Sequence, residues 1–190
     1  MEMNSNNTKF HLENTPPQVV LNLVPGSTAA DWHRHPNGGG WVYRMARVAK
    51  TAHVNQNAVV YGSAEVLDNA EIFDRAKVFG SAKVSGRAKV FGSAMVFDNA
   101  EVSGSAEVLD NALVAGNARV FGSAKVSGRA LVAGSAEVFG NALVAGNARV
   151  FGIAKVCENA EVCEGAVISG NARICGNARI GGYTRVEGNA

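Results

Sequence analysis

From Val42 to Val186 the chain places Val or Ile at every sixth position, with no insertion or deletion. Two residues before each stands a small residue: Gly40 first, then Ala from Ala46 to Ala178, then Thr184. The unit is A-x-V-y-[G/D/E]-z, with z mostly Asn, Ser or Arg. In an extended segment, residues i and i+2 share a face. Ala and Val therefore point inward together and x points to solvent. Gly or Asp followed by Asn or Ser supplies a tight corner, because these residues accept positive φ or bond their own backbone. An amphipathic helix needs apolar residues at i, i+3, i+4 and i+7, which a strict six-residue period does not provide.

A chain that turns every six residues closes a triangular coil after three hexads, so the spacing predicts an all-β parallel β-helix with 18 residues per coil. Residues 40–190 contain 25 hexads and one further residue. That is about eight coils, a rod roughly 40 Å long at ~4.8 Å per coil. Each coil buries three Val or Ile and three small residues, a core too narrow for a ligand. The domain reading is 1–39 as an N-terminal extension and cap, and 40–190 as the hexapeptide-repeat β-helix.

Residues 18 apart become vertical neighbours, and the x positions sort into three columns. The first runs Arg47, Glu65, Lys83, Glu101, Arg119, Glu137, Lys155, Arg173, and the second His53, Glu71, Lys89, Glu107, Lys125, Leu143, Glu161, Arg179. Their signs alternate nearly rung by rung. Opposite charges on neighbouring strands stabilise by about 0.2–1 kcal/mol per pair, so these faces are built for solvent. The third column runs Trp41, Val59, Lys77, Met95, Leu113, Leu131, Arg149, Val167, Arg185. Six of its nine positions are apolar, against none and one in the others. The adjoining y column adds Tyr43, Tyr61, Phe79 and Phe97. A continuous apolar stripe of this kind marks a contact surface. Two principal readings stand: self-association through the stripe, as a trimer or dimer, or cover by the N-terminal stretch Pro16 to Gly26 folding back. Scattered surface residues are the third. The interface candidates are Trp41, Tyr43, Val59, Tyr61, Phe79, Met95, Phe97, Leu113, Leu131 and Val167.

These hexads resemble those of hexapeptide-repeat proteins, the single-stranded left-handed β-helices of the trimeric LpxA-like acyltransferase superfamily. The "GGGWV" lead-in, Gly38 to Val42, followed by near-perfect hexads, is similar to the YdcK-like branch. The resemblance covers about four fifths of the chain. It implies the left-handed coil, which periodicity alone does not give, and a bacterial or phage setting. It says almost nothing about activity, because function resides in sites grafted onto folds.

Residues 1–39 break the repeat. "MEMNSNNTKFHLEN" is polar, while "QVVLNLV", Gln18 to Val24, has strand propensity between Pro16-Pro17 and Pro25-Gly26. A solenoid end needs a cap, and Trp32 with the 18–24 strand is the expected one. Composition narrows the partners. With 18% charged residues and a net charge of +2, the chain lacks the basic clusters of a nucleic-acid binder. It also has no apolar run long enough for a membrane helix. The N-terminus has neither region of a secretory signal, and Cys157, Cys163 and Cys175 are an odd set at one end, so reduced thiols in a cytoplasmic (or virion-associated) protein are expected. Cys157 and Cys175 share a column at bridging distance, but a ladder of free thiols is the favoured reading.

Candidate chemistry is sparse. His33 and His35 in "WHRHP" have H-x-H spacing and are weak metal candidates, with local packing favoured and no metal or other cofactor expected. A general base needs a titratable group beside a cleft, and the hexads contain one histidine, His53, and no extruded loop. The expectation is a non-catalytic structural or protein-interaction solenoid, associating with itself or another protein and with neither nucleic acid nor membrane. The alternative is an acyltransferase using His33 or His35 at the N-terminal rim. An ice-binding rod is discounted, since repeated Thr ladders are missing.

Overall fold

A computed structural model describes residues 15–188. Nearly every hexad contributes a two-residue strand, x and Val or Ile, and the hexad strands stack in parallel into three sheets around a triangular core. Two sheets have 8 strands and the third has 10. The register is the expected one throughout: Glu101 pairs with Arg119, Glu107 with Lys125, and Met95 with Leu113, each 18 residues on. About eight coils result, all-β with almost no helix.

The inward residues account for the core. From Ala52 to Ile168 the repeated Ala, Val and Ile positions are fully buried. Each buried Val contributes about 1.5–3 kcal/mol, and Ala keeps the opposite corner narrow enough for the sheets to meet. Between coils, three backbone donors per hexad bond to the next coil, as when the N–H of Lys77, Phe79 and Ser81 donate to the carbonyls of Ala94, Val96 and Asp98.

From the second coil onward the corner is built on a left-handed residue. Gly62 has φ +69° and Gly104 φ +72°. Six acids take the same conformation: Asp68, Asp74, Asp98, Asp110, Glu158 and Glu164. The coil-to-coil ladder does not use the N–H of this residue. Where the preceding coil carries Asp, its carboxylate accepts that N–H: Asp68 from Gly86 at 2.9 Å, Asp74 from Gly92 at 3.0 Å, Asp110 from Gly128 at 2.9 Å. The residue one coil after each of the six acids is Gly, so carboxylates never stack on carboxylates.

The N-terminal segment corrects one expectation. Gln18–Leu21 is a short helix, α1, followed by turns, not a strand. Local bonds decide it: the Val20 and Leu21 N–H both donate to the Pro17 carbonyl, and Asn22 N–H donates to Gln18. The sheet edge is already occupied by another strand, β1 (Trp32–Arg34), which pairs antiparallel with β2 (Trp41–Tyr43). The loop between them closes a second edge, with Gly39 bridging Asn55 and Val54 N–H donating to Asn37. Trp32 is part of the cap, as expected, but through β1. Gly40 replaces Ala at the start of the repeat because a Cβ there would overlap Val54 and Asn55.

Candidate docking face

The third face carries the apolar column in unbroken register: Trp41, Val59, Lys77, Met95, Leu113, Leu131, Arg149 and Val167 pair rung to rung. The N-terminal segment covers its first two rungs. Val20 and Trp32 pack on Trp41, Tyr43 and Val59, with Leu21, Leu23, Val24 and Tyr61 around them. Trp32 Nε1 donates to Ser27 Oγ at 3.1 Å, which fixes the ring. The Arg34 guanidinium lies 4.0 Å from the Trp41 ring centre and donates to the Gly39 and Gln56 carbonyls. Burial under this cover raises the Tyr61 hydroxyl above its ordinary 10.0. Trp41, Tyr43 and Val59 are therefore internal contacts of the single chain. Of the expected interface residues, Tyr61, Phe79, Met95, Phe97, Leu113, Leu131 and Val167 are half-buried. Tyr61, Phe79 and Phe97 form one parallel stack, with ring centres 4.8 and 5.0 Å apart.

Beyond the cover lies an open groove of about 600 Å³. Met95 and Leu113 form its floor, and its wall is the neighbouring z column, Arg75, Ser93, Asn111 and Arg129, with Lys77 at one end. A second hollow of about 250 Å³, between α1 and the second coil, adjoins it and shares Arg75. The z-column cations were missed in the sequence because corner positions were read as turn chemistry. The same 18-residue sorting, applied to z, brings them out.

The electrostatics of the three faces differ. On the first, Glu101 and Glu137 hold Arg119, and Lys155 lies 2.7 Å from Glu137. Hydrogen bonding by Lys155, with the charges of Lys155 and Arg119, holds the Glu137 carboxyl below its ordinary value despite partial burial. On the second, Lys89–Glu71, Lys125–Glu107 and Arg179–Glu161 pair at 3.2–3.5 Å. Among the described residues no ion pair involves Arg75, Lys77, Arg129 or Arg149 of the third.

A family model described as "YdcK Beta solenoid repeat" matches residues 172–188, which is one coil of the triangular stack. The chain is a YdcK-like β-solenoid. Neither the comparison with curated proteins nor that with solved structures returned a match.

At the N-terminal rim of this YdcK-like solenoid the histidines do different things. His33 lies on β1 with much of its surface open to solvent, and partial desolvation of its ring, with the nearby His35, holds it below its ordinary 6.5. His35 is buried, its Nδ1 3.1 Å from the Asn37 carbonyl oxygen. His53 Nδ1 lies 3.2 Å from Asn37 Oδ1 and its ring packs on Phe73. His35 and His53 thus flank the capping loop. No group of three or more metal-ligating side chains occurs among the described residues. The cysteines depart from the expected free thiols. Cys157 and Cys175, on adjacent rungs with Cα atoms 4.7 Å apart, form a disulfide, because the stacked coils bring them to bridging distance. Cys163 is free and half-buried.

Proposed function

We propose that this chain is a non-catalytic structural or protein-interaction solenoid, and that its third face is the contact surface. One observation carries this reading. Two faces are closed by internal ion pairs, whereas the third keeps a groove floored by half-buried apolar side chains and rimmed by cations that no acid among the described residues engages. Surface that the fold itself does not use, and that is neither fully polar nor fully covered, is surface suited to a partner. That partner is a second copy, as the trimeric habit of the resembling superfamily suggests, or another protein.

The test is the behaviour of the intact chain beside a Leu113→Glu/Leu131→Glu variant. Both side chains point outward, so the fold survives the change, as circular dichroism will show. Association measured by sedimentation velocity that survives both charges assigns the contact to another surface and sinks this assignment. The enzymatic alternative is tested by calorimetry with acetyl-CoA: stoichiometric binding that His35→Ala abolishes replaces the non-catalytic reading with a rim-site acyltransferase.

A further inference from the structure

We infer that the groove takes an extended acidic peptide, a partner segment of the pattern acid–x–apolar–x–acid, and not a second copy of this chain. The inference rests on the third face being the contact surface and names what occupies it. Arg75 and Lys77 stand at one end of the groove and Arg129 at the other. They are three rungs apart, about 14 Å at ~4.8 Å per rung. An extended peptide advances about 3.4 Å per residue, so side chains at i and i+4 lie about 14 Å apart, and i, i+2 and i+4 share one face. Carboxylates at i and i+4 meet the two cationic ends while the apolar side chain at i+2 rests on Met95 and Leu113. Ser93 and Asn111, exposed along the wall between them, face the peptide backbone with hydroxyl and amide groups.

Charge selects this occupant over the alternatives. The acids that precede wall residues, Asp74 before Arg75 and Asp110 before Asn111, have their carboxylates on the Gly92 and Gly128 N–H groups, and Glu137, the acid nearest Arg129 in sequence, pairs with Arg119 and Lys155. Among the described residues no acid pairs with the groove's cations, which leaves them for an incoming acid. A second copy meeting this face with its own third face brings the wrong sign. A twofold axis through Leu113 sets Lys77 against Arg149 and Met95 against Leu131, and a parallel copy in register sets each cation against its own counterpart. Like charges across an interface cost affinity and reject partners. A nucleic-acid strand wants a longer basic track than a chain of net charge +2 provides.

The experiment is fluorescence anisotropy of the intact chain with a labelled peptide carrying Glu, Leu and Glu at alternate positions, Ser and Thr elsewhere. Its controls are a scrambled peptide of the same composition and one with Gln for each Glu. The patterned peptide binds at least tenfold more tightly than either control, and the affinity falls with added salt. Arg75→Glu/Arg129→Glu, at exposed corner positions that leave the core intact, weakens it at least tenfold again. Equal binding of the scrambled peptide, indifference to the double charge reversal, or equal binding of an oligothymidine strand overturns the inference. If the peptide fails while self-association sensitive to Leu113→Glu/Leu131→Glu is present, the contact surface stands and a second copy is its occupant. If neither is seen, both readings fall.

Discussion

At Gly104 the corner geometry makes a counter-intuitive prediction: a charged residue is tolerated better than alanine. Gly104 has φ +72°, and a Cβ there lies 2.9 Å from the Gly122 carbonyl oxygen and 3.0 Å from its nitrogen. Both are backbone atoms of the next coil, so relief requires the coils to separate by a few tenths of an ångström. The left-handed conformation alone costs a non-glycine residue about 1–2 kcal/mol. With the crowding added, Gly104→Ala costs about 2 kcal/mol or more. An acid suffers the same strain, but its carboxylate reaches the Gly122 N–H, which the ladder leaves over, as Asp68 reaches Gly86 at 2.9 Å. That bond returns about 1 kcal/mol. The neighbours one coil away, Gly86 and Gly122, carry no competing charge. The expected order of stability is Gly, then Asp, then Asn with its weaker acceptor, then Ala. Since about 1 kcal/mol moves the midpoint by roughly 2–4 °C in a chain of this size, Ala lowers it by about 4–8 °C and Asp by about half as much. Thermal unfolding followed by circular dichroism reads the series. Alanine equal to or above aspartate refutes the proposed role of the carboxylate.

Three further outcomes follow from the same structure. Glu137→Gln destabilises at pH 7 by up to about 1 kcal/mol, a half-exposed network being worth no more. Its folded pKa is depressed, so the stabilisation is present above 4.5 and is lost as pH falls through the lowered value, which denaturation midpoints across that range will show. Trp32→Ala costs about 3–5 kcal/mol locally, and because coils contact only their neighbours, hydrogen exchange quickens from Trp41 to Tyr61 while the central coils keep their protection. Peptide mapping of the non-reduced chain recovers Cys157 linked to Cys175 with Cys163 open to alkylation. Closing a loop of this length is worth about 3 kcal/mol, so reduction lowers the melting of the last coils.

How far the sequence reaches depends on whether a position's surroundings are set by the period. The core of Val66 or Ala100 and the pairing of Met95 with Leu113 were legible because each position repeats one environment every coil. The stretch Gln18 to Val24 was not. Its Val and Leu content favours a strand, but strand propensity needs a free edge, and β1 had taken it. For Cys157 and Cys175 the column was readable and the bond was not, since spacing places sulfurs without fixing their oxidation state. The groove was half legible: its Met95–Leu113 floor followed from the x column, while Arg75 and Arg129 looked like ordinary corner residues until two columns were read together.

The constancy of the three-sided coil sets the terms on which such a chain can change length. Losing or gaining one hexad leaves every buried Ala and Val in place, yet rotates everything downstream by a third of a turn. A hexad lost or gained just before Leu113 would set Leu113 and Leu131 beneath a charged column, and one between Arg119 and Glu137 would part that ion pair. Only steps of a whole coil lengthen the rod while keeping each surface continuous. The interior is indifferent to the size of the step; the exterior counts in eighteens.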